Sequence, residues 1–228
     1  MGYRERKRGR RPRRGVGIEI PGLGNTEIAK ALGSSSRKRL PSIGSRRVMG
    51  NMQEGALANR NDVYNLLRQL GAPERLLRHA QLVGEAADSL IKVYRELGVE
   101  FDVSVIELGA AIHDAGKIVH PEELSGPGSR HEGAGQALVL KHGVQPEVAK
   151  CCVSHAAWRH PDVTFEERTV ALADKLWKGK RDTDLELVII DEAAIRLGVG
   201  RWDVFARLDL AFEGIAASAD ERLRQSLT

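Results

Sequence analysis

Apolar positions between residues 61 and 227 recur at intervals of three and four, the period of an amphipathic helix, and no stretch alternates with a strand's period of two. Asn61 and Asp62 can cap a short helix that runs through Leu70 and stops at Gly71. Pro73 suits a first helical turn. A long helix then reaches Leu97, with Leu76, Ala80, Val83, Ala87, Leu90, Ile91 and Tyr94 on its apolar face and Gly98 at its end. Asp102 or Ser104 can cap a third helix, which carries Val105, Leu108, Ala111 and Ile112 up to His113-Asp114, and Gly116 loosens its end. Residues 120–130, rich in Pro, Glu, Ser and Gly, read as a loop. Further helices are expected from His131 to about His142, Glu147 to about Ala157, Glu166 to Lys178, Asp184 to Leu197 and Trp202 to Leu227. The pattern predicts an all-α globular bundle of about seven or eight helices, without internal repeats or heptads.

Residues 1–52 break this pattern. Arg4 to Arg14 is a basic block, and Gly15 to Gly44 is rich in Gly, Ser and Pro with no sustained period, a composition that predicts a disordered basic tail before a domain spanning 53–228. The charge is correspondingly divided. The chain is +4 overall, with 35 Lys and Arg against 31 Asp and Glu; residues 1–50 alone hold 14 and 3, a net of +11, which leaves the remainder at −7. The tail therefore reads as a basic arm for nucleic acid, as an inert solvated segment, or as an over-long start, with Met49 and Met52 as alternative initiators. No run approaches the ~20 apolar residues of a membrane span. No apolar segment follows the N-terminal charges, and the two cysteines, Cys151 and Cys152, are adjacent; a reducing cytoplasm is the expected compartment.

The chemistry is concentrated in residues that can hold metal. In order they are His79, His113, Asp114, His131, His155 and Asp174, each in or at the edge of a different helix apart from the central pair. Imidazole and carboxylate suit Fe, Mn, Co, Ni or Zn. Taken singly, each has an ordinary alternative. His79 can be a satisfied core histidine, Asp114 a solvated helix end, and Asp174 the partner of Lys178 one turn on.

Taken together, His79, the His113-Asp114 pair and Asp174 resemble the HD superfamily of metal-dependent phosphohydrolases. Ala-Ala-Ile-His113-Asp114-Ala-Gly-Lys117 is similar to its central motif and Ala-Leu-Ala-Asp174-Lys175 to its closing motif. The resemblance covers about Asp62 to Glu186. It implies hydrolysis of a phosphoester or phosphoanhydride bond, in particular of a nucleotide, by a metal-activated hydroxide, with a first metal on His79, His113, Asp114 and Asp174. His131 and His155 sit where binuclear members place additional histidines, so one or two ions are implied, with Asp114 bridging and helping to take a proton. The layout is similar to the branch that cleaves diadenosine tetraphosphate symmetrically. It departs from that branch at Ala156 and at Trp177-Lys178.

Lys117, one turn past His113, can meet a phosphate oxygen as a point charge, and Arg130, Lys175 and Arg181 are weaker candidates for the same contact. A purine could pack on Trp158 or Trp177. No Gly-rich phosphate loop is present. The expected partner is a phosphorylated small molecule, in particular a nucleotide. Two rivals remain open at this point: a mononuclear 5′-nucleotidase-like phosphatase, and a non-catalytic metal-stabilised module that binds nucleotide or nucleic acid.

Overall fold

The computed structural model describes residues 57–226. The basic segment, with its readings as a disordered tail, a nucleic-acid arm or an over-long start, lies outside the described residues, as does Leu227. Among the described residues there is no strand, and the fold is all-α. Helix α1 spans Arg60–Gln69, α2 Glu74–Leu97, α3 Val103–Ile112, α4 Arg130–Lys141, α5 Pro146–Ala149, α6 Cys151–Ser154, α7 Phe165–Leu176, α8 Thr183–Leu197, α9 Arg201–Ala217 and α10 Ala219–Ser226. None is long and apolar enough to cross a membrane.

Helix α2 is the axis of the bundle. It packs on α3, α7 and α9, with lesser contacts to α1 and α10. It is therefore buried on more than one face, including Leu82, Val83, Ala86, Leu90, Val93 and Tyr94. Tyr94 is fully buried, and its hydroxyl lies 3.4 Å from Thr169 Oγ1 on α7. This main core continues through α8 and α9. A second core joins α1, the far face of α3, α4 and α5, with Leu67, Leu108, Ile112, Val139 and Val148 at its centre. Helix α3 stands between the two cores, and this brings the His-Asp pair at its end to the middle of the molecule.

The stop signals act through backbone geometry. Gly98, Gly143 and Gly198 follow their helices at φ of 80°, 78° and 68°, a region where a Cβ is costly. Several boundaries differ from the expected ones. The cap of α1 is Asn59, two residues before Asn61. Its side chain accepts from the backbone of Asn61 and Asp62, and the Asp62 carboxylate accepts from Asn59 N at 3.1 Å. Residues 120–130 are not wholly loop, because Pro121–Leu124 forms a 3-10 turn. The helix expected over 147–157 is divided at Lys150 into α5 and α6. The last helix is interrupted at Ser218, whose hydroxyl donates back to Gly214 O at 2.9 Å, a local bond that competes with the helix ladder.

Candidate metal centre

Five segments deliver the six predicted ligands. His79 comes from the second turn of α2, His113 ends α3 and Asp114 follows it. His131 lies in the first turn of α4, His155 follows α6, and Asp174 sits in the last turn of α7. The 3-10 turn Ala115–Ile118 lies directly on α4, backbone to backbone. A Cβ on Gly116 would stand 1.8 Å from His131 O and 2.6 Å from Gly135 N, so glycine is what allows this approach.

The ligand atoms form two groups that share Asp114. His79 Nε2 lies 2.9 Å from Asp114 Oδ2, 3.3 Å from His113 Nε2 and 3.6 Å from Asp174 Oδ1. His113 Nε2 is 3.7 Å from each of those carboxylate oxygens. On the other side, Asp114 Oδ1 lies 3.3 Å from His131 Nε2 and 3.8 Å from His155 Nε2. Donor atoms around one ion, at bond lengths near ~2.0–2.2 Å, stand about 3–3.5 Å from one another. The separations in the two groups, 2.9–3.7 Å and 3.3–3.8 Å, bracket this spacing.

Three of the four histidines are already turned for metal. His113 Nδ1 bonds to Ala110 O and His155 Nδ1 to Cys151 O, each at 3.0 Å, and His131 Nδ1 donates to Glu123 Oε2 at 2.6 Å. A carbonyl or carboxylate only accepts, so each Nδ1 carries the proton and each Nε2 presents a lone pair to the centre. His131 Nε2 is buried with no hydrogen-bond partner, the kind of orphaned atom that a metal satisfies. Residues of this type and arrangement fit one ion in each group.

The carboxylates are held ionised, and they act back on the rings. Burial would lower the pKa of His113, but Asp114 and Asp174 outweigh it and raise it, and Asp114 raises that of His131, so a bound cation would displace a proton from these rings. Burial would raise the pKa of Asp114, but His113, His131 and His79 outweigh it and hold the carboxyl well below its usual range. Burial likewise opposes the bond and charge of His113, with Lys178 and His79, at Asp174, and again the ionised form prevails. Burial, and then the neighbouring His113, push His155 down to about 4, so its ring is neutral at neutral pH. The bond from His131 holds Glu123 down to about 2.

A cavity of about 740 Å³ opens over both groups. Lys117 and Lys175, two of the candidates for phosphate contacts, line it, with Lys117 Nζ 2.5 Å from Asp114 Oδ2 and Lys175 paired to Asp182 at 3.2 Å. Arg130 and Arg181 are not among its lining residues. Arg130 points outward to Glu122 and Glu123, and Arg181 is held by Glu186 and Asp209. Trp177 lines the cavity, whereas Trp158 is buried elsewhere with Arg159 over its ring. Three participants were not singled out from the sequence. Lys178 lines the cavity and holds Asp174 Oδ2 at 3.1 Å. Arg75 lines it from the start of α2. Glu123 stands behind His131. Only the i, i+4 spacing of Asp174 and Lys178 carried a signal in the sequence.

An all-α bundle with paired His/Asp groups under a cavity edged by basic side chains defines a candidate metal-dependent hydrolase. The HD domain family matches residues 73–193, a span that contains all six ligands, and the chain belongs to that family, which places it in a superfamily of metal-dependent phosphohydrolases. No curated protein and no solved structure matches the chain.

Proposed function

We propose that the protein hydrolyses a phosphoester or phosphoanhydride bond of a nucleotide and works with two divalent transition-metal ions. The observation that carries this reading is the division of Asp114, whose Oδ2 belongs to the His79–His113–Asp174 group and whose Oδ1 faces His131 and His155. Asp114 would bridge the ions, with His79, His113 and Asp174 completing the first set and His131 and His155 the second. When bound, the ions supply Lewis acidity and lower the pKa of a water toward neutrality.

The chain supplies position and charge. Protons held on Nδ1 of His113, His131 and His155 keep their Nε2 lone pairs aimed inward. Lys178 fixes the outer oxygen of Asp174, and Lys117 bonds to Asp114. With Arg75 and Lys175, these lysines stand around the cavity beside Glu132 and the two candidate ligand carboxylates, and once ions neutralise those carboxylates the cations favour a phosphorylated ligand. Trp177 and Leu76 give it an apolar wall on which a base can pack. The size suits a ligand larger than a lone phosphate, and dinucleoside polyphosphates belong in the substrate panel beside mononucleotides.

The test combines metal analysis of the full chain with hydrolysis of that panel in Mn²⁺ or Co²⁺, comparing wild type with Asp114→Ala. Two ions per chain and nucleotide hydrolysis, both lost in the variant, are expected. One ion, with activity unchanged by His131→Ala and His155→Ala, would replace this reading with a mononuclear phosphatase. No metal after addition of either ion would leave a helical binding module.

A further inference from the structure

The stretch after the His-Asp turn carries a carboxylate in an unexpected place. Pro121–Leu124 is followed by exposed Ser and Gly residues, yet Glu123 within it is buried, at 7% exposure. Its burial is fully compensated. Oε1 accepts from Arg130 N at 3.2 Å and Oε2 from His131 N at 3.1 Å. These are the first backbone donors of α4, which Ser129 leaves without a side-chain cap. The same Oε2 accepts from the His131 ring at Nδ1 at 2.6 Å. Gly128 makes room for this arrangement, since a Cβ there would lie 2.3 Å from the carboxylate.

One side chain therefore does two things to His131. It fixes the backbone that bears the residue, and it fixes which ring nitrogen holds the proton. Were Nδ1 released, the ring could turn or change tautomer and present N–H to Asp114 Oδ1, which lies 3.3 Å from Nε2. His113 and His155 have no such dependence, because their Nδ1 partners are carbonyls of residues 110 and 151, three or four positions earlier.

We propose that Glu123 is a positioning residue for the second metal ion: it sets the aim of His131, and the ion's affinity depends on a side chain that does not touch it. The proposal rests on the two-metal reading above.

The test is a Co²⁺ titration of the metal-free full chain, read by calorimetry and by the visible absorption of bound Co²⁺. Glu123→Gln keeps the shape but offers a single acceptor oxygen where two sides face donors. The first equivalent should bind as in wild type, and the second should weaken about 10–100-fold. Ser129→Asp, added to Glu123→Gln, supplies a cap from the other side and cannot serve the His131 ring. It should recover thermal stability of the metal-free protein while the second equivalent stays weak. Recovery of the second equivalent together with stability would reduce Glu123 to a cap and overturn the proposal. So would unchanged binding of both equivalents in Glu123→Gln, or equal weakening of the two. A wild type that binds two ions alongside an unaffected variant overturns this proposal alone; a wild type that binds one overturns the two-metal reading with it.

Discussion

Gly116→Ala is a severe test of how the two halves of the centre are joined. Gly116 is not in the left-handed region, so alanine meets no backbone penalty there and the effect is steric. Its Cβ would fall 1.8 Å from His131 O, and 2.6 Å from both His131 C and Gly135 N. These are main-chain atoms of a helix, and no side-chain rotation relieves the clash. Ordinary contact needs about 3.5 Å, so the turn must withdraw from α4 by roughly 1.5 Å. Overpacking of this kind costs ~1–3 kcal/mol, and a rigid backbone obstacle places it at the upper end. At about 2–4 °C per kcal/mol for a domain of this size, Tm should fall by roughly 6–12 °C. The same withdrawal carries His131 from Asp114, and the second ion should be lost. The assay is thermal unfolding of the metal-free protein, followed by metal analysis after reconstitution. Gly133→Ala on the same helix is the control. It is exposed with nothing within 4 Å of its Cβ, and it should stabilise by about 0.5–1 kcal/mol through helix propensity. A Gly116→Ala protein that melts with wild type and retains two ions would refute the reasoning.

Three other outcomes are expected. Trp177 donates from Nε1 to Asp174 Oδ1 at 3.2 Å and meets the His79 ring edge-on, so Co²⁺ should quench its fluorescence. Trp177→Phe should remove most of that quenching and weaken the first ion about 2–10-fold, as loss of one hydrogen bond implies; undiminished quenching would show that the indole is not beside the metal. Arg168 is buried and ties together Trp158 O, His160 O and Glu192. Arg168→Met should cost about 3 kcal/mol in urea denaturation, since it strands a carboxylate and two carbonyls, and a loss below ~1 kcal/mol would contradict the clamp. Burial, with Asp114 next, pushes the Cys152 thiol up to about 12, and burial also holds Cys151 well above its usual value. Neither should react with a thiol reagent near pH 8 until the chain is unfolded, and a fast-reacting thiol in the native protein would show that this region is open.

What the sequence made legible follows from how directly each residue acts. Gly71 and Gly98 were readable as stops because left-handed backbone is a local demand that glycine meets alone. The six candidate ligands stood out because metal chemistry needs imidazole and carboxylate in a helical apolar setting, and the motif around His113-Asp114 resembles the HD family; the structure brings these side chains together. Direction was not readable. Arg130 is next to His131, yet one residue on a helix is a rotation of about 100°, and its exposed side chain ends beside Glu122, away from the cavity. Arg181 follows Asp174 closely but is drawn to Asp209 of α9, a partner distant in sequence. Glu123 was invisible because its composition is that of a loop, and its burial depends on a turn returning the chain to His131. The Asn59 cap was misplaced by two residues because Asn61 and Asp62 have the same capping chemistry.

The different ways in which the imidazoles are held give the two halves of the centre unequal mutational robustness. The Nδ1 partners of His113 and His155 are main-chain oxygens of Ala110 and Cys151. Every amino acid has such an oxygen, so no substitution at those positions removes the acceptor. The partner of His131 is a side chain, and a single codon change at Glu123 deletes it. On the two-metal reading, such a centre would pass from two ions to one by a single step outside its ligand set. The aim of His113 itself is proof against such a step, because its Nδ1 acceptor belongs to the main chain of its own helix.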